Sequence, residues 1–249
     1  MYKGTLALPQ RNALVAAITA ATTLTEPACE LTAAITAITS AAIGAVQQYE
    51  NDTAAERQAV LKEVAVHSAR VALYTWCLAR AVELDGRRVA DRDVSAELLA
   101  VASLFHDIGK VAVPASLLAK PGRLTPEELL RVQTHTLLGA RMIDGLAGSV
   151  ADPLRRLIAK VCECHHERWD GSGYPCARSG RRIPYGARLV AICDTYDAIV
   201  HDRVYAKSRS HATAMRILSE GRAVLFDPDV VDVMLSIGSD FLALERQIR

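Results

Sequence analysis

Residues 55–82 run for 28 positions without a glycine or proline. Apolar side chains recur there every three or four positions, the period of a helix that buries one face. A helix about 40 Å long at 1.5 Å per residue dominates whatever fold contains it, and the rest of the chain repeats the pattern. Ser95 stands as an N-cap before an apolar run to Phe105. Thr125-Pro126-Glu127-Glu128 reads as a capping box with proline in the first turn, opening a helix expected through Asp144. Residues 154–166 and 187–200 are further helical runs, joined by a loop rich in Gly, Pro and Arg that ends near Gly186. Asp227-Pro228 opens what reads as a last helix through Ile237. The period-two alternation of strands is nowhere convincing. The expected fold is all-α.

Composition changes near Asn51-Asp52, where an Ala/Thr/Ile-rich, nearly uncharged region gives way to ordinary charge density. Residues 1–50 are therefore read as an N-terminal helical extension and 51–249 as the main domain. Within the extension, residues 31–49 carry no charge and approach the length of a membrane span. Yet Thr32, Thr36, Thr39 and Ser40 share one stripe and Leu31, Ile35 and Ile38 the opposite one. That two-faced pattern predicts an amphipathic helix rather than a membrane span. Its apolar stripe needs cover, either on the main domain or in a homodimer. With 29 basic and 28 acidic residues, the chain lacks the cationic excess of a nucleic-acid polymer binder. Six cysteines in 249 residues form no disulfide framework, and the start carries no signal-peptide pattern, so a reducing cytoplasm is expected.

Seven histidines are present, and five of them stand out. His106-Asp107 closes an apolar helix just before Gly109 and Lys110; His165-His166 closes another and is followed by Glu167. His67 lies four residues after Glu63 on one helical face, and His135 sits inside the helix opened at Thr125. Asp194 interrupts an apolar helical run, where an unpaired carboxylate is costly to bury. A lone histidine on such a helix is more often structural than a ligand. Adjacent pairs are different: neighbours on a helix point about 100° apart, so one pair can serve two cations with a carboxylate between them. Imidazole and carboxylate donors suit iron, manganese, nickel or zinc. Cys162 and Cys164, flanking Glu163, read as small buried residues, since thiols two apart on a helix diverge and further zinc ligands are missing.

The run His106-Asp107-Ile108-Gly109-Lys110, followed by His165-His166-Glu167 and Gly171-Ser172-Gly173-Tyr174-Pro175, resembles the HD-GYP family of cyclic-di-GMP phosphodiesterases, a branch of the HD metal-dependent phosphohydrolases. The resemblance spans about residues 55 to 240, through Asp194-Thr195-Tyr196-Asp197 and Phe226-Asp227-Pro228. It implies an HD-type helical bundle that hydrolyses cyclic-di-GMP to linear pGpG, and onward to GMP if the linear product is admitted, through a metal-bridging hydroxide. By the same resemblance His67, His106, Asp107, His135, His165, His166 and Asp194 are metal ligands, with Asp107 the bridge, and Glu63 marks members able to hold a third ion. Two or three divalent ions, iron or manganese, are the implied cofactors. Lys110 is implied at the scissile phosphate as a catalytic group beside Asp107, and Tyr174, Arg203 and Lys207 at the ligand. A homodimer and a signalling-protein partner complete the expected associations.

This chain departs from the family in places. Thr136 stands where proline usually follows the middle histidine, Val204 and Ala206 interrupt a usual Arg-Pro-Tyr-Arg-Lys run, and Ala177-Arg178 replaces Gly-Leu after the Tyr-Pro pair. A basic stretch comprising Arg178, Arg181, Arg182, Arg188, Arg203, Lys207 and Arg209 is expected to form a positive rim steering a dianionic ligand. Two rival readings share much of this pattern: an HD phosphohydrolase for another nucleotide, including a mixed cyclic dinucleotide, and a module that binds the dinucleotide or a partner without turnover.

Overall fold

The computed structural model describes residues 54–85, 94–147, 150–202 and 207–248. The proposed N-terminal extension, with its amphipathic stripe, lies outside the described residues. Among those described, regular structure is helical, and bridge pairing is confined to Ala147 with Val150 and Arg222 with Phe226. No described helix is long and apolar enough to cross a membrane.

The uninterrupted run becomes α1, Ala54–Asp85. From His67 to Thr75 nearly every side chain is buried, which happens only when a helix is covered on several sides. α1 packs against α2 (Ala96–Ser103), α7 (Tyr185–Val200), α9 (Pro228–Ser236) and α10 (Gly238–Ile248). It is the spine of the bundle. Seven residues beyond His67, Tyr74 meets Tyr196 of α7 edge-on at 4.9 Å and stacks on Phe241 of α10 at 5.2 Å, all three fully buried. Truncating one such ring costs about 3–5 kcal/mol, so this trio fixes α1 against α7 one to two turns beyond His67.

Local signals place most boundaries. Ser95 caps α2 by accepting from the Leu98 amide. After α2 the chain tightens into a 3-10 turn, Ile108–Ala112, and a short helix α3, Ala115–Leu118. Both halves of the Thr125/Glu128 capping box form at the start of α4, Pro126–Gln133. The helix expected to continue to Asp144 is in fact interrupted at Thr134, and α5 (His135–Asp144) begins anew. The cause is local. Thr134 Oγ1 donates to the Arg131 carbonyl at 2.6 Å and Thr136 Oγ1 to that of Gln133 at 3.0 Å, while His135 Nδ1 sits 2.7 Å from the carbonyl of Val132. Three consecutive side chains thus compete for the carbonyls that would continue the ladder.

α6, Asp152–Cys164, opens with Pro153 in its first turn and stops just before the double histidine. Three helices escape the sequence reading: the short α3; α8, His211–Glu220, capped by Ser210; and α10, which makes α9 the penultimate helix rather than the last. Ser210 was a legible cap. α10 has no polar cap at Ile237 and is held by tertiary burial of Phe241 and Ile248.

Candidate metal centre

Five chain segments deliver the expected ligands to one place. α1 brings His67, the turn after α2 brings His106 and Asp107, α5 starts with His135, α6 ends at His165-His166, and α7 carries Asp194. The turn can approach α5 because residue 109 is glycine: a Cβ there would lie 1.9 Å from the His135 carbonyl oxygen. Gly173 plays the same part for the loop after α6, since its Cβ would fall 2.3 Å from the Arg168 amide.

Asp107 is the hub. Its Oδ2 lies 3.3 Å from His106 Nε2 and 3.7 Å from His67 Nε2; its Oδ1 lies 3.3 Å from His135 Nε2 and 3.7 Å from His165 Nε2. Two ligand groups follow, each with donor atoms within 4.8 Å of one another: His67, His106 and Asp107, and Asp107, His135, His165 and His166. Asp194 belongs to neither group by that measure but sits beside the first, its Oδ1 3.1 Å from His67 Nε2. His166 lies 4.1 Å from His165 and is backed by the stacked ring of Tyr174, centroid to centroid 4.9 Å.

Burial would raise the Asp107 pKa, but the Lys110 ammonium, which donates to Oδ2, and His106 hold it well below the usual carboxylate range. Burial pushes His135 down; it pushes His166 down further, with His165 adding to the effect. Both imidazoles are therefore neutral at pH 7, the state in which they donate lone pairs. At His67 burial also favours the neutral ring, yet hydrogen bonding to Asp194 and Asp197 outweighs it and raises the pKa. Positive charge is favoured at that edge, as a proton or as a cation. His106 Nε2 and Asp107 Oδ1 are buried without a hydrogen bond, a condition that costs about 1–3 kcal/mol per group. One cation in each ligand group, the first touching His106 and the second Asp107 Oδ1, removes that cost. The donor set, imidazole and carboxylate without thiolate, fits a borderline-to-hard divalent ion.

A cleft of about 680 Å³ opens against His67 and Lys110. Its apolar wall includes Val60, Val64, Leu117 and Leu124, and its cations are Lys62, Arg70, Lys110 and Lys120. Glu63 lines the cleft one turn before His67, exposed and outside both ligand groups. Lys207 is exposed and donates to Asp202 at 3.2 Å, whereas Arg203 falls outside the described residues. The expected basic rim loses one member. Arg188 is buried in an ion pair with Asp227, and Arg178 and Arg181 reach Glu163 and Asp229, each at 3.5 Å. The positive lining of the cleft comes instead from α1 and residues 110–120. Cys162 is buried, its thiol donating to the Phe105 carbonyl at 3.1 Å; Cys164 is buried too, and neither joins a ligand group.

Sequence reasoning passed over three contributors. Asp197 is fully buried, 2.7 Å from His67 Nδ1, and Arg70 clasps it through two hydrogen bonds of 2.6 and 2.9 Å. The signal was present, since Arg70 follows His67 by three positions and Asp197 follows Asp194 by three, both one helical turn. Glu167 is the third. Its buried carboxylate accepts from the amides of Cys176 and Arg178 at 2.8 and 3.0 Å, so it shapes the loop that presents Tyr174.

The profile of the HD domain family matches residues 50–230. The chain belongs to this family. Membership brings with it a divalent-metal site, for which the His/Asp clusters supply the donors. Over 149 residues, 59% of its length, the chain is 40% identical to a Vibrio cholerae protein named "Probable cyclic di-GMP phosphodiesterase", covering 34% of that relative. Over 187 residues, 75% of its length, it is 32% identical to "3'3'-cGAMP-specific phosphodiesterase 2" of the same organism, again covering 34%. The chain thus spans about a third of the length of these relatives. A solved HDG"Y"P protein from Bdellovibrio bacteriovorus shares the fold, with a TM-score of 0.55 at 17% identity over 92% of this chain and 69% of that one. These findings bear out the HD-GYP resemblance and the all-helical fold that it implies.

Proposed function

We propose that this chain is a metal-dependent phosphodiesterase that hydrolyses cyclic-di-GMP to linear pGpG, with GMP as the product of a second cleavage. The observation that carries the proposal is the division of Asp107: one oxygen faces His67 and His106, the other faces His135 and His165. In this reading His67, His106, Asp107 and Asp194 hold one ion, and Asp107, His135, His165 and His166 the other. Iron or manganese is the expected pair. Bound there, such ions supply Lewis-acid charge and lower the pKa of water toward neutrality. Glu63 belongs to a third ion only if three are counted per chain. The catalytic unit begins near residue 51, a reading supported by the start of the family match at residue 50.

The chain's own side chains do the remaining work. Lys110 faces the cleft while donating to Asp107, so its ammonium is held where charge develops on the phosphoryl oxygens. Lys62, exposed on the cleft wall, adds positive charge that attracts a dianion, while Arg70 and Lys120 are tied to Asp197 and Glu128. Tyr174 backs His166 and fixes its ring plane. A second reading, hydrolysis of the mixed dinucleotide 3'3'-cGAMP, draws support from the relative of that name.

The test is anaerobic reconstitution with ferrous iron or manganese, counting of ions per chain, and turnover of both cyclic dinucleotides. Two ions with release of pGpG from cyclic-di-GMP supports the proposal. Turnover of 3'3'-cGAMP alone replaces it with the second reading. Tight binding of either dinucleotide without turnover makes the chain a binding module and overturns both.

A further inference from the structure

His106, His135 and His165 each place Nδ1 against a main-chain carbonyl three positions back: Ser103 at 2.7 Å, Val132 at 2.7 Å and Cys162 at 3.0 Å. All three rings sit where a helix begins or ends, and there the last carbonyls of a helix lack the amide four positions on that would claim them inside it. His67 differs. It lies in the middle of α1, where the carbonyls already accept helical amides, and its Nδ1 is held instead by another side chain. Asp197 fills that role from α7, 130 residues away in sequence.

We propose that Asp197, clamped by Arg70, is a positioning residue that fixes the tautomer and plane of His67 and thereby sets the strength of one metal subsite without altering the other. The argument rests on the metal-centre reading above. A carboxylate only accepts, so Nδ1–H donates to Asp197 Oδ2, and Nε2, which faces Asp107 and Asp194 at 3.7 and 3.1 Å, is the nitrogen that would offer its lone pair when a cation takes the place of a proton there. Arg70 makes Asp197 rigid: its Nε and Nη2 grip both carboxylate oxygens, and the guanidinium springs from the same helix as His67, one turn on. His201 Nδ1, at 3.1 Å from Oδ1, closes the remaining side. A carboxylate behind an imidazole makes its far nitrogen a stronger donor than a carbonyl does, and loss of such a partner typically weakens metal affinity 10- to 100-fold. The two subsites are therefore unequal by construction. The His67 subsite is tuned by a carboxylate, and the His135/His165 subsite by the backbone.

The test compares the parent chain with Asp197→Asn and Arg70→Gln, each titrated with manganese against a competing chelator. For Asp197→Asn the expected result is one ion bound as in the parent and the second at least ~10-fold weaker, with Arg70→Gln showing a smaller shift of the same ion. Both ions retained at parental affinity, or both weakened equally, overturns the inference. A parent that binds no ion overturns instead the metal-centre reading, so the two failures are distinct. Should Asp197→Asn fail to fold, nitrogen-15 correlation spectra of the unaltered, zinc-loaded chain decide: a proton on His67 Nδ1 is expected, and one on Nε2 refutes the proposal.

Discussion

Gly109 lies between the two halves of the metal centre, and adding one methyl group there tests how that centre is built. Its φ is not in the left-handed region, so Gly109→Ala acts through space alone. The new Cβ would stand 1.9 Å from the His135 oxygen, 2.5 Å from the Gly139 nitrogen and 2.9 Å from the His135 carbonyl carbon. Ordinary contact begins at 3.4 Å, so the turn and α5 must part by about 1.5 Å before the repulsion disappears. Overpacking typically costs 1–3 kcal/mol. Here every clashing atom is backbone, which cannot swing away as a side chain can, and the cost should reach about 3 kcal/mol. In a domain of this size that corresponds to a loss of about 6–12 °C in Tm for the metal-free protein. The same separation stretches the 3.3 Å approach of Asp107 to His135, and manganese affinity should fall by ~10-fold or more.

Gly139→Ala probes the interface from the other side. Its Cβ would meet the Gly109 nitrogen at 3.1 Å and Ile108 and Cys162 side-chain atoms at 3.3 and 3.4 Å. That mild crowding is offset by the helix preference for alanine, about 1 kcal/mol, so a net change within ~1 kcal/mol is expected. Melting curves with chelator present, and chelator competition for manganese, measure both quantities. A Gly109→Ala protein melting within roughly 2 °C of the parent, or one no worse than Gly139→Ala, refutes the packing argument.

Three other outcomes follow from the same coordinates. Asp107→Ala should lose both ions and lower kcat/KM at least ~10³-fold, about 4 kcal/mol of transition-state stabilisation; metal analysis with activity within tenfold of the parent contradicts a shared carboxylate. Asp227→Ala leaves Arg188 buried without its counter-charge and should cost about 3–5 kcal/mol in denaturant unfolding, while the double replacement Arg188→Met with Asp227→Leu should cost less. Burial raises the thiols of Cys77 to about 11 and Cys164 to about 12, and those of Cys162 and Cys193 higher still. Because the thiolate is the nucleophile, a Cys29→Ser protein at pH 8 should show one fast thiol toward a disulfide reagent, the exposed Cys176, and the rest only on unfolding; two or more fast thiols would contradict the burial assignment.

The sequence made the centre legible where one residue does one job. Helical period placed α1, cap chemistry placed the starts of α2 and α4, and the adjacent pairs His106-Asp107 and His165-His166 marked candidate metal donors that do meet in space. It was silent where a residue's role depends on a partner far along the chain. Asp197 reads as one polar position on an apolar helix until α1 and α7 are side by side, and Arg188 reads as a surface cation until Asp227 is seen beneath it. The break at Thr134 was hidden for another reason: threonine is tolerated inside helices, and only the simultaneous bonding of side chains 134–136 to carbonyls three positions back accompanies the interruption. α10 was missed because its position is set by Phe241 docking on distant rings rather than by any cap of its own.

That docking has a practical side for anyone handling this molecule. Phe241 belongs to the last described helix, and its ring props both tyrosines, Tyr74 on the spine and Tyr196 on α7. Cutting the chain at Ile237 would pull out that wedge and loosen His67 from behind, so shortened versions made for expression or crystallisation should keep residues through Ile248.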